Sequence, residues 1–144
     1  GIVATFAEGG TYSDPTTPGP LAGEAIGAYA QGLWAAFPDL SFEIVSATPS
    51  ESGLVAAEWV MKGTNTGSLM GLPPTGLPVT VPGADFVRVE GEKIRSVTGY
   101  FDSGAVPRAL GLDVGLGDAA QAPPAFLGFG VDVVANDGQH TGLT

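Results

Sequence analysis

From Ala22 to Phe37 the apolar positions Ile26, Tyr29, Ala30, Leu33, Trp34 and Phe37 recur at steps of three and four, and Pro38 ends the run. That spacing predicts an amphipathic helix. Upstream, Ile2, Val3 and Phe6 also have helical spacing until Glu8-Gly9-Gly10 interrupts it, which predicts the last turns of a helix. "TYSDP" alternates briefly and stops at Pro15, a short strand followed by the loop "TTPGP". After the helix, "LSFEIVSATPS" and "SGLVAAEWVMKGTNTG" alternate apolar and polar residues around a turn at Ser52-Gly53. The connection "SLMGLPPTGLPVTVPG" is too poor in free N–H groups to be a central strand before Val79. "ADFVRVEGEKIRSVTGYFD" then reads as two strands around a Glu90-Gly91-Glu92-Lys93 turn, and "SGAVPRALG" as a short helix. A helix end, a strand, a helix and four mostly antiparallel strands predict an α+β fold, with a helix layer packed on one curved sheet.

The chain changes character after Leu112. "DVGLGDAAQAPPA" has linker composition, and "FLGFGVDVVANDGQH" reads as one strand with an Asn136-Asp137-Gly138 turn. The expected organisation is a domain over 1–112, a linker over 113–125, and an extra strand or the start of a further segment over 126–144.

Composition narrows the function classes. With 144 residues, 44% of them hydrophobic, the chain has the length and apolar content of one domain with a real core. Five Lys and Arg against 15 Asp and Glu give a net charge of −10, which repels phosphate backbones. Lys62, Arg88, Lys93, Arg95 and Arg108 are scattered, so no basic patch suggests nucleic acid or a membrane surface. No apolar run approaches the roughly 20 residues that span a bilayer, and no signal-peptide pattern opens the sequence. A cytoplasmic setting is the expectation. The absence of Cys removes thiolate chemistry and Cys-ligated zinc. The single His140 gives neither a metal signature nor a Ser/His/Asp triad.

Carboxylates on strands remain. Pairing the last hairpin about Glu90–Lys93 sets Val89 opposite Ile94, Val87 opposite Ser96 and Asp85 opposite Thr98. Alternation then predicts Asp85, Val87, Thr98, Tyr100 and Asp102 on one face, with Phe86, Val97 and Phe101 on the other. Asp is depleted in strands and costly to bury unpaired. In an apolar cavity its pKa rises, as a general base working near neutrality requires. The alternatives are a helix cap for Asp102 and a solvated side chain for Asp85. Trp59, Met61, Gly63 and Asn65 share another face, as core or as pocket wall, and Asn65 suits a buried hydrogen bond or a ligand contact. Asp14 precedes a proline, the usual setting of turn chemistry.

The segments "TFAEGGTYSDP", "LAGEAIGAYAQGLWAAFPDLSFEI", "VAAEWVMKGTNTGSLMGLPPTG" and "VPGADFVRVEGEKIRSVTGYFDSGAVPRALG" resemble, in order and spacing, the SnoaL-like polyketide cyclase (ester cyclase) family of the nuclear-transport-factor-2-like superfold. The likeness runs from about Val3 to Leu112. It implies a cone-shaped α+β barrel, a strongly bent antiparallel sheet wrapped around helices, enclosing a deep apolar pocket. Family members begin with a long helix, of which only the end is expected here. Characterised members close a polyketide ring by intramolecular aldol condensation without metal or organic cofactor. The resemblance matches their catalytic aspartate to Asp102 and a polar pocket residue to Asp85; Asn65 stands where many members have His.

The expected function is a cofactor-free cyclase or related lyase/isomerase acting on a small apolar carbonyl or ester. Asp102 would remove a proton alpha to the carbonyl, and Asn65 and Tyr100 would hold the enolate oxygen. Asp85, Tyr12, Trp59, Met61, Val87 and Trp34 complete the expected substrate-binding set. A homodimer through the face of Phe86, Val97 and Phe101 is the expected assembly. The rival is a binding or scaffold module on the same fold.

Overall fold

In the computed structural model, which describes residues 1–112, a 3-10 turn at Ile2–Thr5 leads into strand β1 (Phe6–Ser13) and a two-residue strand β2 (Leu21–Ala22). Helix α1 (Glu24–Ala36) follows, then β3 (Ser41–Pro49), β4 (Leu54–Thr64), β5 (Pro78–Glu90), β6 (Lys93–Phe101) and helix α2 (Ala105–Ala109). The six strands form one sheet in the order β2-β1-β6-β5-β4-β3. Neighbours are antiparallel except β1 and β6, which run parallel. The α+β class read from the sequence is the one observed. The expected linker over 113–125, the strand over 126–144 and His140 lie outside the described residues.

Three irregularities bend this sheet, because an extra residue in one strand kinks it and increases its twist. Val45 is unpaired between Ile44, opposite Trp59, and Ser46, opposite Glu58. Arg95 is unpaired between Ile94, opposite Val89, and Ser96, opposite Arg88. In β1 the register shifts between Phe6 and Thr11, where Gly9 takes φ +76° and Gly10 runs against β6. A Cβ on Gly10 would sit 2.8 Å from the Ile94 carbonyl oxygen, so only glycine allows that approach. The helical spacing of Ile2, Val3 and Phe6 therefore misleads: one 3-10 turn exists, and Phe6 already belongs to β1.

The core lies where the end of α1 meets the inner face of β4 and β5. Ala36, Phe37, Trp59, Met61, Val79, Val81 and Leu110 form one buried cluster. Pro38 stops α1 as expected, and the Phe37 amide donates to the Leu33 carbonyl at 2.8 Å to close the last turn. Phe37 is 1% exposed, and burial of a side chain of this size contributes about 2–3 kcal/mol. At the far edge, β3 has no outer neighbour among the described residues, and all nine of its residues are exposed.

Candidate active site

The unpaired Arg95 decides which side chains meet. Beyond it every pairing moves by one residue: Val87 faces Val97, Asp85 faces Gly99, and Gly83 faces Phe101. The same rows continue into β4 as Val55, Ala57 and Trp59. Because strand side chains alternate, a one-residue slip moves a whole set to the opposite face. The inner face thus carries Asp85, Val87, Val97, Gly99 and Phe101 with Trp59 and Met61. Tyr100 is on the outer face, 57% exposed, its ring edge-to-face with Phe86 at 5.9 Å.

From β1, which runs beside β6, Tyr12 and Asp14 enter the same region. Asp14 is 8% exposed and fully hydrogen-bonded. Its Oδ2 accepts from the Tyr12 hydroxyl at 2.6 Å and from the Tyr29 hydroxyl of α1 at 2.5 Å. Its Oδ1 accepts from the Thr16 amide and the Thr16 hydroxyl, both at 2.7 Å. Burial alone raises this carboxyl, but the bonds from Tyr12, Tyr29 and Thr16 outweigh it and hold Asp14 below its ordinary value. Its partners move the other way. Burial, then the bond to Asp14, raises Tyr12 strongly and pushes Tyr29 up to about 12. Asp14 is therefore a fixed anion and both phenols stay protonated.

Asp85 has the opposite environment. Burial is the main cause that raises it, and the charge of Asp14 adds to the rise. The Trp59 indole N–H on its side opposes the shift, yet closes no hydrogen bond. Gly99 is the floor where these groups converge. A Cβ built on it would lie 2.9 Å from Asp85 Oδ1, 3.5 Å from Asp14 Cβ and 3.8 Å from the Tyr12 hydroxyl oxygen. Two carboxyl groups whose surroundings drive their pKa values apart give one permanent anion and one group able to take and return a proton.

Several expectations are corrected here. Asp102 does not share a face with Asp85, because β6 ends at Phe101 and Arg95 has shifted the alternation. Its side chain is 61% exposed and paired with Arg108. Its Oδ1 accepts from the Gly104 amide at 2.9 Å and its carbonyl from the Ala105 amide at 3.0 Å. Arg108, then the Gly104 amide, lower its pKa. That is the geometry of a residue at the start of α2, held ionised in solvent. Tyr100, on the outer face, is likewise remote from the inner-face carboxyls. Asn65 is 1% exposed and its amide is spent on backbone. It donates to the carbonyls of Ala36 at 3.2 Å and Gly67 at 2.9 Å, and accepts from the Thr75 amide at 2.8 Å and hydroxyl at 2.9 Å. It fastens the 65–77 loop to α1 and has nothing left for an enolate. Trp34 is 49% exposed and borders a separate open concavity of about 550 Å³, between α1 and the 3-10 turn, together with Ile2, Val3 and Gln31. That concavity is larger in volume than in chemistry, and none of Asp14, Tyr12 or Asp85 borders it. The three residues expected to form a homodimer face do not share one: Val97 and Phe101 point inward, and Phe86 lies outside with Tyr100.

Trp59, Met61, Val87, Tyr12 and Asp85 do come together on the inner face. Asp14 and Tyr29 are the members that sequence reasoning passed over. The Asp-Pro signal for Asp14 was correct, since it also caps the turn through Thr16 and Thr17, but a turn aspartate can serve a site as well. Among the described residues no group of three acidic or His side chains is arranged to hold a metal ion, and no helix is long and apolar enough to cross a membrane.

A curled six-stranded sheet with acidic side chains on its inner face defines an α+β domain of the nuclear-transport-factor-2-like, ketosteroid-isomerase-like kind. The family model for SnoaL-like polyketide cyclase matches residues 2–110, and the chain belongs to that family. No curated protein matches the sequence. Among solved structures it is similar to IdmH of Streptomyces antibioticus, provisionally named a polyketide cyclase, at 26% identity and a TM-score of 0.65 over 76% of this chain and 84% of that one. A protein of Catenulispora acidiphila with a ketosteroid isomerase-like fold, solved with trimethylamine, shares 26% identity with a TM-score of 0.66 over 78% and 81%. AclR of Streptomyces galilaeus, provisionally a hydroxylase, shares the fold at 22% identity and a TM-score of 0.66 over 76% and 80%.

Proposed function

We propose that this domain catalyses acid/base chemistry on an apolar carbonyl or ester compound, as an aldol-type ring closure, with Asp85 as the group that moves the proton. The observation that carries this reading is the Asp85 carboxyl over Gly99, among apolar side chains and beside the permanently ionised Asp14. Family membership supports the reaction class, and the similarity to IdmH is consistent with it.

The Asp85 carboxylate takes a proton from the carbon alpha to a carbonyl, and the C–H electron pair becomes the enolate double bond. The enolate carbon then attacks a second carbonyl of the same molecule, forming the ring bond. Asp85, now protonated, returns its proton to the resulting alkoxide, so the cycle needs no net proton. A raised pKa suits both halves, because the base is stronger and its conjugate acid survives long enough to donate. Asp14 is the positioning anion, and Val87, Val97, Met61 and Phe101 supply apolar walls.

Slow alpha-hydrogen exchange of 2-tetralone in heavy water, followed by NMR, tests the reading. The wild-type protein is expected to accelerate exchange, Asp85→Asn to lose about 10²–10⁴-fold, and Asp102→Asn to retain most of it. No acceleration over buffer, as a pure binding module would give, or an undiminished rate in Asp85→Asn, overturns it.

A further inference from the structure

The half-buried Asp85 carboxyl is flanked by bulk in every direction but one. Toward β6 and β1 it leans over Gly99, where Asp14 Cβ and the Tyr12 hydroxyl lie 3.5 and 3.8 Å from the position of an added Cβ. Tyr29 closes on Asp14 from α1. Along β5, Gly83 lies against the Trp59 ring and faces Phe101, while Val87 faces Val97 and Val55. The remaining direction is low. Asp85 faces Ala57 in β4, and Ala57 faces Ala47 in β3. Cross-strand partners share a face, so these two methyl groups carry the Asp85 row toward the sheet edge over two strand spacings, about 9–10 Å. Ala57 is half-buried and Ala47 exposed. Alanine is depleted in strands, so a facing pair of them has no local advantage here. The unpaired Val45 brings Ile44 to the same face as Ala47, although the two stand three residues apart. Ile44, opposite Trp59, is 59% exposed and forms an open apolar flank beside Ala47.

We infer that the substrate lies across the strands, its reacting carbonyl end at Asp85 and its apolar body over Ala57, reaching Ala47 and Ile44 on the edge strand. Ala47 and Ile44 then set how long a compound the site accepts. This deepens the reading of Asp85 and rests on it. A side chain larger than methyl at position 47 rises into the path of a long compound and leaves a short one in place, because a site discriminates by the contacts it permits. Ile44 adds apolar area at the far end. Neither residue reaches the reacting atoms, so both determine specificity, and their effect falls on binding rather than on proton transfer.

The probes are 2-naphthol and its linear three-ring homologue 2-anthrol, with binding followed by their fluorescence. The wild-type protein is expected to bind 2-anthrol more tightly. Ala47→Phe is expected to weaken 2-anthrol about tenfold and 2-naphthol much less. In exchange of the corresponding two- and three-ring ketones, the loss should appear in KM of the longer one and not in its kcat. Position 47 is an exposed edge-strand site that suits a β-favouring side chain, and Ala47→Val provides a milder variant with the same order of effects. Equal weakening of both probes, the mark of general damage to the fold, overturns the proposal. So does undiminished binding of 2-anthrol by Ala47→Phe, or no binding of it by the wild type. If exchange is lost in Asp85→Asn while both probes respond alike to Ala47→Phe, the base stands and the orientation falls. A selective loss of 2-anthrol with full exchange in Asp85→Asn has the converse meaning: the orientation is upheld and the base is not Asp85.

Discussion

Asp85 and Gly99 face each other across β5 and β6, and the Asp85 carboxylate occupies space that any larger residue at position 99 would claim, 2.9 Å from an added Cβ. A real Cβ essentially never tolerates that distance, and the nearby Asp14 Cβ closes off part of the retreat. Gly99→Ala is therefore expected to turn the Asp85 carboxyl out of its site. Exchange of 2-tetralone should fall at least tenfold, while the melting temperature changes by only a few degrees. Unchanged exchange in this variant would mean that the carboxyl position is not what the reaction depends on.

Asp14 holds four hydrogen bonds in a nearly dry setting. Replacing it with Asn removes the charge that strengthens them, a loss of about 2–3 kcal/mol measured by urea unfolding at neutral pH. The pH dependence has a definite sign. The carboxyl is held below its unfolded value, so its stabilisation is complete above the ordinary aspartate range and is lost as pH falls through the folded value. Asp14→Asn is expected to lose that acid-side component. Asp85 is raised, so its contribution is complete below the ordinary range and is lost as pH rises through its folded value. Asp85→Asn should remove that second component, leaving stability flatter toward neutrality.

Local signals in the sequence carried most of the fold and about half of the site. The turn at Glu90–Lys93 was legible because Gly91 with charged neighbours between apolar runs has few other uses, and Val89 does face Ile94. Arg95 was not legible, since one extra residue leaves each strand's own alternation intact and alters only the pairing between them. That single residue moved Tyr100 away from Asp85 and placed Gly99 there instead. Trp59, Met61 and Gly63 kept the face read for them because β4 and β5 pair without interruption. Asp14 and Tyr29 stand 15 residues apart and meet only when α1 is folded back, at a distance no periodicity encodes. Asn65 showed the limit of residue type: a buried amide in an apolar stripe indicates hydrogen bonding but not with whom.

That amide yields a prediction separable from catalysis. Asn65→Ala takes this partner from the half-buried Gly67 carbonyl and the Thr75 amide, and one of two donors from the buried Ala36 carbonyl, which keeps the Gly67 amide. The expected cost is about 3 kcal/mol in unfolding free energy. At a temperature where the variant is fully folded, its exchange rate should be close to wild type. A stable but inactive variant would instead make Asn65 part of the chemistry.

The claim that Asp85 is the proton-transferring group is tested most directly by titrating its side-chain carboxyl with carbon-detected NMR, in the wild type and in Asp14→Asn. The expected value lies clearly above the ordinary aspartate value of about 3.9 and falls toward it when the neighbouring charge is removed. A carboxyl that ionises at or below the ordinary value, indifferent to Asp14, would contradict it.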